Sequence, residues 1–177
     1  MKTNQKKLSP ANLARKSIEH CFNSKISIPE IQFFDLILSK PAGTFVSLHH
    51  KLSDDLRGCI GTFLPTTKSA YFEIIENAKS ASFDDPRFPP LKLAELNDIT
   101  ISVDILSAPS KIKSELELDP QKYGIIVSAE DGKRGLLLPD LPGVKTAFEQ
   151  ISICRQKAVI GQKESIEIEK FTVTRFS

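Results

Sequence analysis

Long apolar runs, paired cysteines, clustered histidines and a charge excess of one sign are all missing from this chain of 177 residues. The longest apolar stretches, such as Leu136 to Leu138, are far too short to span a bilayer, and the N-terminal segment lacks the apolar core of a signal peptide. No membrane association is expected, and the chain reads as cytoplasmic. Cys21, Cys59 and Cys154 stand far apart without a C-x-x-C pair, which argues against a disulfide framework or a zinc knuckle and fits free thiols in a reducing compartment. On a strand, His49 and His50 point to opposite faces, and His20 has no partner at ligand spacing, so no metal site is expected. Lysine and arginine number 24 against 22 acidic residues and gather on no periodic face, so no nucleic-acid footprint is expected. Neither G-x-G-x-x-G nor a Walker loop occurs, and the sequence names no cofactor.

What is present is the composition of an ordinary globular protein, 40% apolar and 26% charged, long enough for one substantial core or two lobes sharing a cleft. Ser9-Pro10 opens a helix whose stripe is Ala14, Ile18, Cys21 and Phe22, with Cys21 inside. Ile31 to Leu38 fits either a short helix or a buried strand. Thr44 to His49 and Leu56 to Phe63 read as a hairpin. Tyr71, Ile74, Ile75, Ala78 and Ala81 trace one face of a helix that stops before Pro86. Ile99, Ile101, Val103 and Ile105 alternate with polar residues as a half-buried antiparallel strand.

Beyond the polar connector Pro109 to Pro120, Gly124 to Ser128 and Gly135 to Leu138 flank a turn and form a second hairpin. Ala147, Phe148, Ile151, Cys154 and Ala158 mark a last helical stripe. The tail from Ile166 to Phe176 is strand-like, with a phase slip that predicts a bulge or break near Glu169-Lys170. This order lacks the regular alternation of a doubly wound sheet, so the expected fold class is α+β, a mostly antiparallel sheet with flanking helices.

Chemistry concentrates in Leu56-Arg57-Gly58-Cys59-Ile60-Gly61. Extended backbone places Arg57, Cys59 and Gly61 on one face and Leu56, Gly58 and Ile60 on the other. Glycine inside a strand marks a bulge or the close approach of a backbone or ligand, so Gly58 and Gly61 are candidate ligand-binding positions that leave room for a small molecule. Arg57 suits a carboxylate or another anion, or equally a structural ion pair to Asp84 or Asp85. Cys59 beside a cation is a candidate nucleophile; the alternative is a small core thiol. Ser82 to Leu91 contains three prolines and two phenylalanines and is stiff. It can present Asp85 as a catalytic group and Arg87 as a ligand contact, or it ends the helix with Asp85 and Arg87 paired locally. Cys154 and Lys157 are close enough on one helix to meet, but Cys154 falls in the apolar stripe and reads as core.

Gly43-Thr44-Phe45-Val46-Ser47-Leu48, then LRGCIG at 56 to 61 and DPRFPPL at 85 to 91, closely resemble the AMMECR-one domain family, named for the AMME syndrome chromosomal region. Gly135-Leu136-Leu137-Leu138-Pro139 and Cys154-Arg155-Gln156-Lys157-Ala158 extend the resemblance to roughly residues 8–176, leaving 1–7 as an N-terminal tail. The resemblance implies one α/β domain with a larger and a smaller lobe and LRGCIG near the cleft between them. It further implies similarity to protein A of the AmmeMemoRadiSam system, and hence Memo-type and radical SAM proteins as partners. The family's activity is not established. The expectation is a small-molecule enzyme working where the LRGCIG strand meets the DPRFPP loop; the alternative is a binding or adaptor module for those partners. Departures from the family pattern lie in the C-terminal third: tryptophan is absent, and Tyr123 stands where a histidine is expected.

Overall fold

Alternation of branched apolar and polar residues builds the first sheet. In the computed structural model, which describes residues 9–30 and 36–177, β1 (Thr44–His50) pairs antiparallel with both β2 (Leu56–Thr62) and β3 (Ile99–Leu106). Val46 and Leu48 of β1 and Ile99, Ile101, Val103 and Ile105 of β3 turn to the same covered face. That face is closed by α1 (Pro10–Phe22), through Leu13, Ala14 and Ile18, and by α3 (Ala70–Phe83), through Ile74, Ala78 and Ala81. Cys21 is exposed instead of inside: the buried residues of α1 end at Ile18, and in the last turn Phe22 is the side chain that packs against the core. The ambiguous segment ends as the short helix α2 (Leu36–Ser39), while 31–35 and the tail 1–7 lie outside the described residues.

The second sheet orders β4 (Ser110–Lys111), β7 (Ile166–Phe171), β5 (Gly124–Ala129) and β6 (Arg134–Leu137), all antiparallel. Helix α4 (Ala147–Lys157) lies on it and buries Ile151 and Cys154 against Ile125, Val127 and Leu137. Gly135 permits this packing: a Cβ there would collide with the carbonyl oxygen of Cys154. Phe148, expected in the buried stripe, is 76% exposed, and Gln150 takes an inward position, donating from Nε2 to the Tyr123 carbonyl at 2.8 Å. The helix faces the sheet along Gln150, Ile151 and Cys154, one position round from the purely apolar stripe. The expected break at Glu169-Lys170 falls instead at Thr172. There β7 ends and β8 (Val173–Phe176) begins as an edge of the first sheet, in the order β2-β1-β3-β8.

The chain thus divides into a unit of residues up to Ile105 with Thr174–Ser177, and a second unit, Leu106–Val173. The architecture is α+β with antiparallel sheets. Among the described residues no helix is long and apolar enough to cross a membrane.

The end of α4 carries backbone strain. Val159 N–H donates to the Gln156 carbonyl and Ile160 N–H to the Arg155 carbonyl, the double closure that puts the first residue past the helix in a left-handed conformation. That residue is normally glycine; here it is Val159, at φ 54° and 80% exposed. A β-branched side chain in this region costs on the order of 1–2 kcal/mol. Val159→Gly is therefore expected to stabilise the protein by about 1 kcal/mol, read as a higher urea midpoint.

Candidate functional site

Strand β2 lies at the edge of its sheet, and its register with β1 is interrupted once. Leu48 faces Gly58 and His49 faces Leu56, so Arg57 is the extra residue of a β-bulge. The even alternation expected from 56 to 61 consequently begins only after Arg57. Its side chain is buried, 6% exposed, and forks onto Glu95: Nε donates to Oε1 at 2.8 Å and Nη2 to Oε2 at 3.2 Å. Glu95 sits in the 3₁₀ segment Leu93–Asp98 and also accepts the Lys92 N–H. Arg57 first and Lys92 after it hold the Glu95 carboxyl below its ordinary range. The partner of Arg57 is thus Glu95, not Asp84 or Asp85. Its Nη1 is buried without a hydrogen-bond partner among the described residues.

Cys59 turns its main-chain polar groups toward the open edge, and the proline loop receives both. Its N–H donates to Asp85 Oδ2 at 2.8 Å, and its carbonyl accepts from Arg87 Nη2 at 3.0 Å. Asp85, 4% exposed, also accepts from Arg87 N, Nε and Nη2 at 3.1, 3.0 and 2.8 Å. Two side chains stand in for a neighbouring strand. Arg87, then the Cys59 N–H, holds the Asp85 carboxyl far below the usual carboxylate range despite its burial, so Asp85 is a fixed anion and not a proton carrier. Arg87's pKa is raised, by Asp85 first and also by the Cys59 side chain beside it. The cation that reaches the Cys59 residue is therefore Arg87, through the carbonyl. From β1, Ser47 Oγ donates to Cys59 Sγ at 3.3 Å, and Cys59 is half-buried.

The glycine gaps are filled by protein. A Cβ on Gly58 would strike the Ala81 carbonyl oxygen at the end of α3, and one on Gly61 would strike the Phe45 ring. Both admit close packing; neither leaves the room for a small molecule that spacing alone suggests. Cys154 is fully buried, and burial pushes its thiol up to about 12. Lys157 Nζ instead donates to the Leu136 carbonyl of β6 at 2.7 Å. No group of three or more acidic, cysteine and histidine side chains able to hold a metal occurs among the described residues.

The sequence matches the AMMECR1 family over residues 11–177. The chain belongs to the AMMECR1 family. A Thermotoga maritima protein is 46% identical over 153 residues, 86% of this chain and 87% of that one. A Clostridium acetobutylicum protein is 45% identical over 97% of this chain, which spans only 36% of that relative's length. The crystal structure of an uncharacterized protein from Pyrococcus horikoshii superposes with a TM-score of 0.78 at 27% identity, over 94% of this chain and 88% of that one.

Two charged groups of this AMMECR1 chain escape sequence reasoning. Glu95 looks like an ordinary surface acid. Glu73, 1% exposed in the first turn of α3, accepts from the hydroxyls of Thr62, Thr66 and Thr67 and from the N–H groups of Thr66 and Thr67. Those hydroxyl and amide donors outweigh burial, which acts first and in the opposite sense, and hold its carboxyl low. One turn on, Asn77 Nδ2 donates to the Thr44 carbonyl and hydroxyl at 3.0 and 2.9 Å. The available signal is a glutamate and an asparagine spaced i, i+4 along the apolar stripe of a helix, preceded by three threonines.

Asp85→Asn, which weakens the contacts to Cys59 and Arg87, is expected to cost about 2 kcal/mol at pH 7. A depressed carboxyl contributes stability that is complete above its unfolded pKa and is lost as pH falls through the folded value. The gap between wild type and variant therefore narrows below about pH 4. Urea unfolding of both proteins at pH 7 and pH 3 checks the magnitude and the sign.

Proposed function

We propose that this AMMECR1-family chain is a small-molecule enzyme whose nucleophile is the Cys59 thiol, working where β2 meets the Asp85–Arg87 loop. The observation that carries this reading is the half-buried sulfur to which the Ser47 hydroxyl donates at 3.3 Å, on a residue whose carbonyl accepts from the Arg87 guanidinium at 3.0 Å. Cysteine attacks as the thiolate, and the Ser47 hydroxyl is the donor placed on this sulfur. Asp85 acts by position: it fixes Arg87 and the Cys59 backbone.

Charge pairing narrows the substrate. Glu95 neutralises Arg57 and Asp85 neutralises Arg87, so these four residues attract no anion by net charge. An uncharged electrophile therefore suits this stretch of β2 better than an anion. In the chemical step sulfur forms a bond to the electrophilic carbon, the leaving group departs with its electron pair, and the thiol proton passes to water.

A second reading is a binding or adaptor module for the Memo-type and radical SAM proteins that the family resemblance implies. It is favoured by the Clostridium relative, in which the shared region is about a third of a longer chain. Pull-down of those partner classes by wild type and by Arg57→Ala separates the two: absence of association in either form counts against the module.

For the enzyme reading, timed alkylation with iodoacetamide, followed by peptide mass spectrometry, compares the three thiols. Cys59 is expected to react faster than the more exposed Cys21, and Cys154 not to react in the folded protein. A Cys59 slower than Cys21 at every pH from about 6 to 9 overturns nucleophilic catalysis.

A further inference from the structure

The register of β1 and β2 decides how closely Ser47 can approach Cys59. The two residues are directly opposed. Because Cys59 sends its N–H and C=O outward to Asp85 and Arg87, the pair is of the non-hydrogen-bonded kind, with Cα atoms only about 4.5 Å apart and side chains at their closest. Ser47 must then turn its own N–H and C=O toward β3, so its other neighbour, Ser102, sits across the wider kind of pair. The His50 N–H, three residues along β1, points back to the β2 side to meet the Asp55 carbonyl, as this phase requires. Ser47 Oγ thus has a sulfur as its near neighbour and donates to it at 3.3 Å.

We infer that Ser47 is a positioning residue for the Cys59 nucleophile. Its hydroxyl proton lies on one side of the sulfur, leaves the remaining lone pairs for the electrophile, and strengthens its bond as negative charge gathers there during loss of the thiol proton. The inference rests on the reading of Cys59 as nucleophile. The charged or titratable groups nearest in the fold are Arg87 and Asp85, which hold the Cys59 main chain from the loop, and His49, two residues from Ser47 along β1; Arg57 is set out of phase by the bulge and turns to Glu95. On the same strand the bulged Arg57, more than nine-tenths buried and turned onto Glu95, leaves Nη1 without an acceptor among the described residues.

The test measures iodoacetamide alkylation of Cys59 against pH in wild type, Ser47→Ala, Ser47→Thr and Ser102→Ala. In each case sulfur displaces iodide from the methylene carbon and the thiol proton goes to buffer. Ser47→Ala is expected to lower the Cys59 rate near pH 7 by about 3- to 10-fold and to move the rise of rate toward higher pH. Ser47→Thr restores both, and Ser102→Ala, on the same sheet face, changes neither. If Ser47→Ala unfolds more readily, the near-isosteric pair Ser47→Thr and Ser47→Val, differing in the hydroxyl, carries the comparison. Equal rates with and without the hydroxyl, while Cys59 still outruns Cys21, overturn the role of Ser47 alone. A wild-type Cys59 slower than Cys21 at every pH overturns the nucleophile reading and this inference together.

Discussion

A carboxylate withdrawn from water is tolerated only where donors replace the water it loses. Asp85 meets that condition with four hydrogen bonds, three from Arg87 and one from the backbone of Cys59. The arrangement ties the end of α3 and the proline loop that follows it to the edge strand β2, 26 residues earlier in the chain. The loop is further pinned where Leu91 N–H reaches the Ser82 carbonyl at 2.7 Å and Phe88 N–H reaches the Asp85 carbonyl at 3.1 Å. Position and exposure of Cys59 follow from this tie, because the same bonds that neutralise Asp85 fix the phase in which β2 faces β1.

Around that tie the first unit pairs its other buried charges with groups from elsewhere in the fold. Glu73 is surrounded by threonine hydroxyls and amides, and Asn77 links that cluster to the start of β1. Arg57 is matched by Glu95. Asp104, 3% exposed, is forked by Arg175 Nε and Nη2 at 2.8 and 2.7 Å. Buried polar groups of this kind stabilise little beyond an apolar replacement but penalise any arrangement that leaves one partner behind. They favour one seating of α3 and of the loop on the sheet over its alternatives.

Much of the fold is legible in the sequence because its signals are periodic: the isoleucines of β3, the stripe of α3 and the turn between β5 and β6 each declare themselves within a dozen residues. Errors arise where a tertiary contact outranks local pattern. Gln150 goes inward because the Tyr123 carbonyl needs a donor. Cys21 stays outside while its neighbour Phe22 takes the core contact, edge-on to Phe83. The final strand breaks at Thr172 because the chain there changes sheets. At the candidate site the residue types were visible and their partners were not. Spacing finds Arg57, Cys59, Asp85 and Arg87, but no local signal tells that Glu95 will claim the first arginine, that Ser47 will face the thiol, or that Ala81 and Phe45 will fill the space beside the glycines. Those pairings span 38, 12 and more than 15 residues of chain and depend on the register of a bulged strand.

An edge strand ordinarily offers its unpaired amides and carbonyls to any extended chain that comes alongside. At Cys59 that offer is withdrawn, since Asp85 and Arg87 already hold the two groups that a new strand would need. A molecule arriving at this point of β2 finds no main-chain ladder to join and must be recognised by the side chains alone. A peptide whose only asset is an extended backbone gains no foothold at that point of the edge.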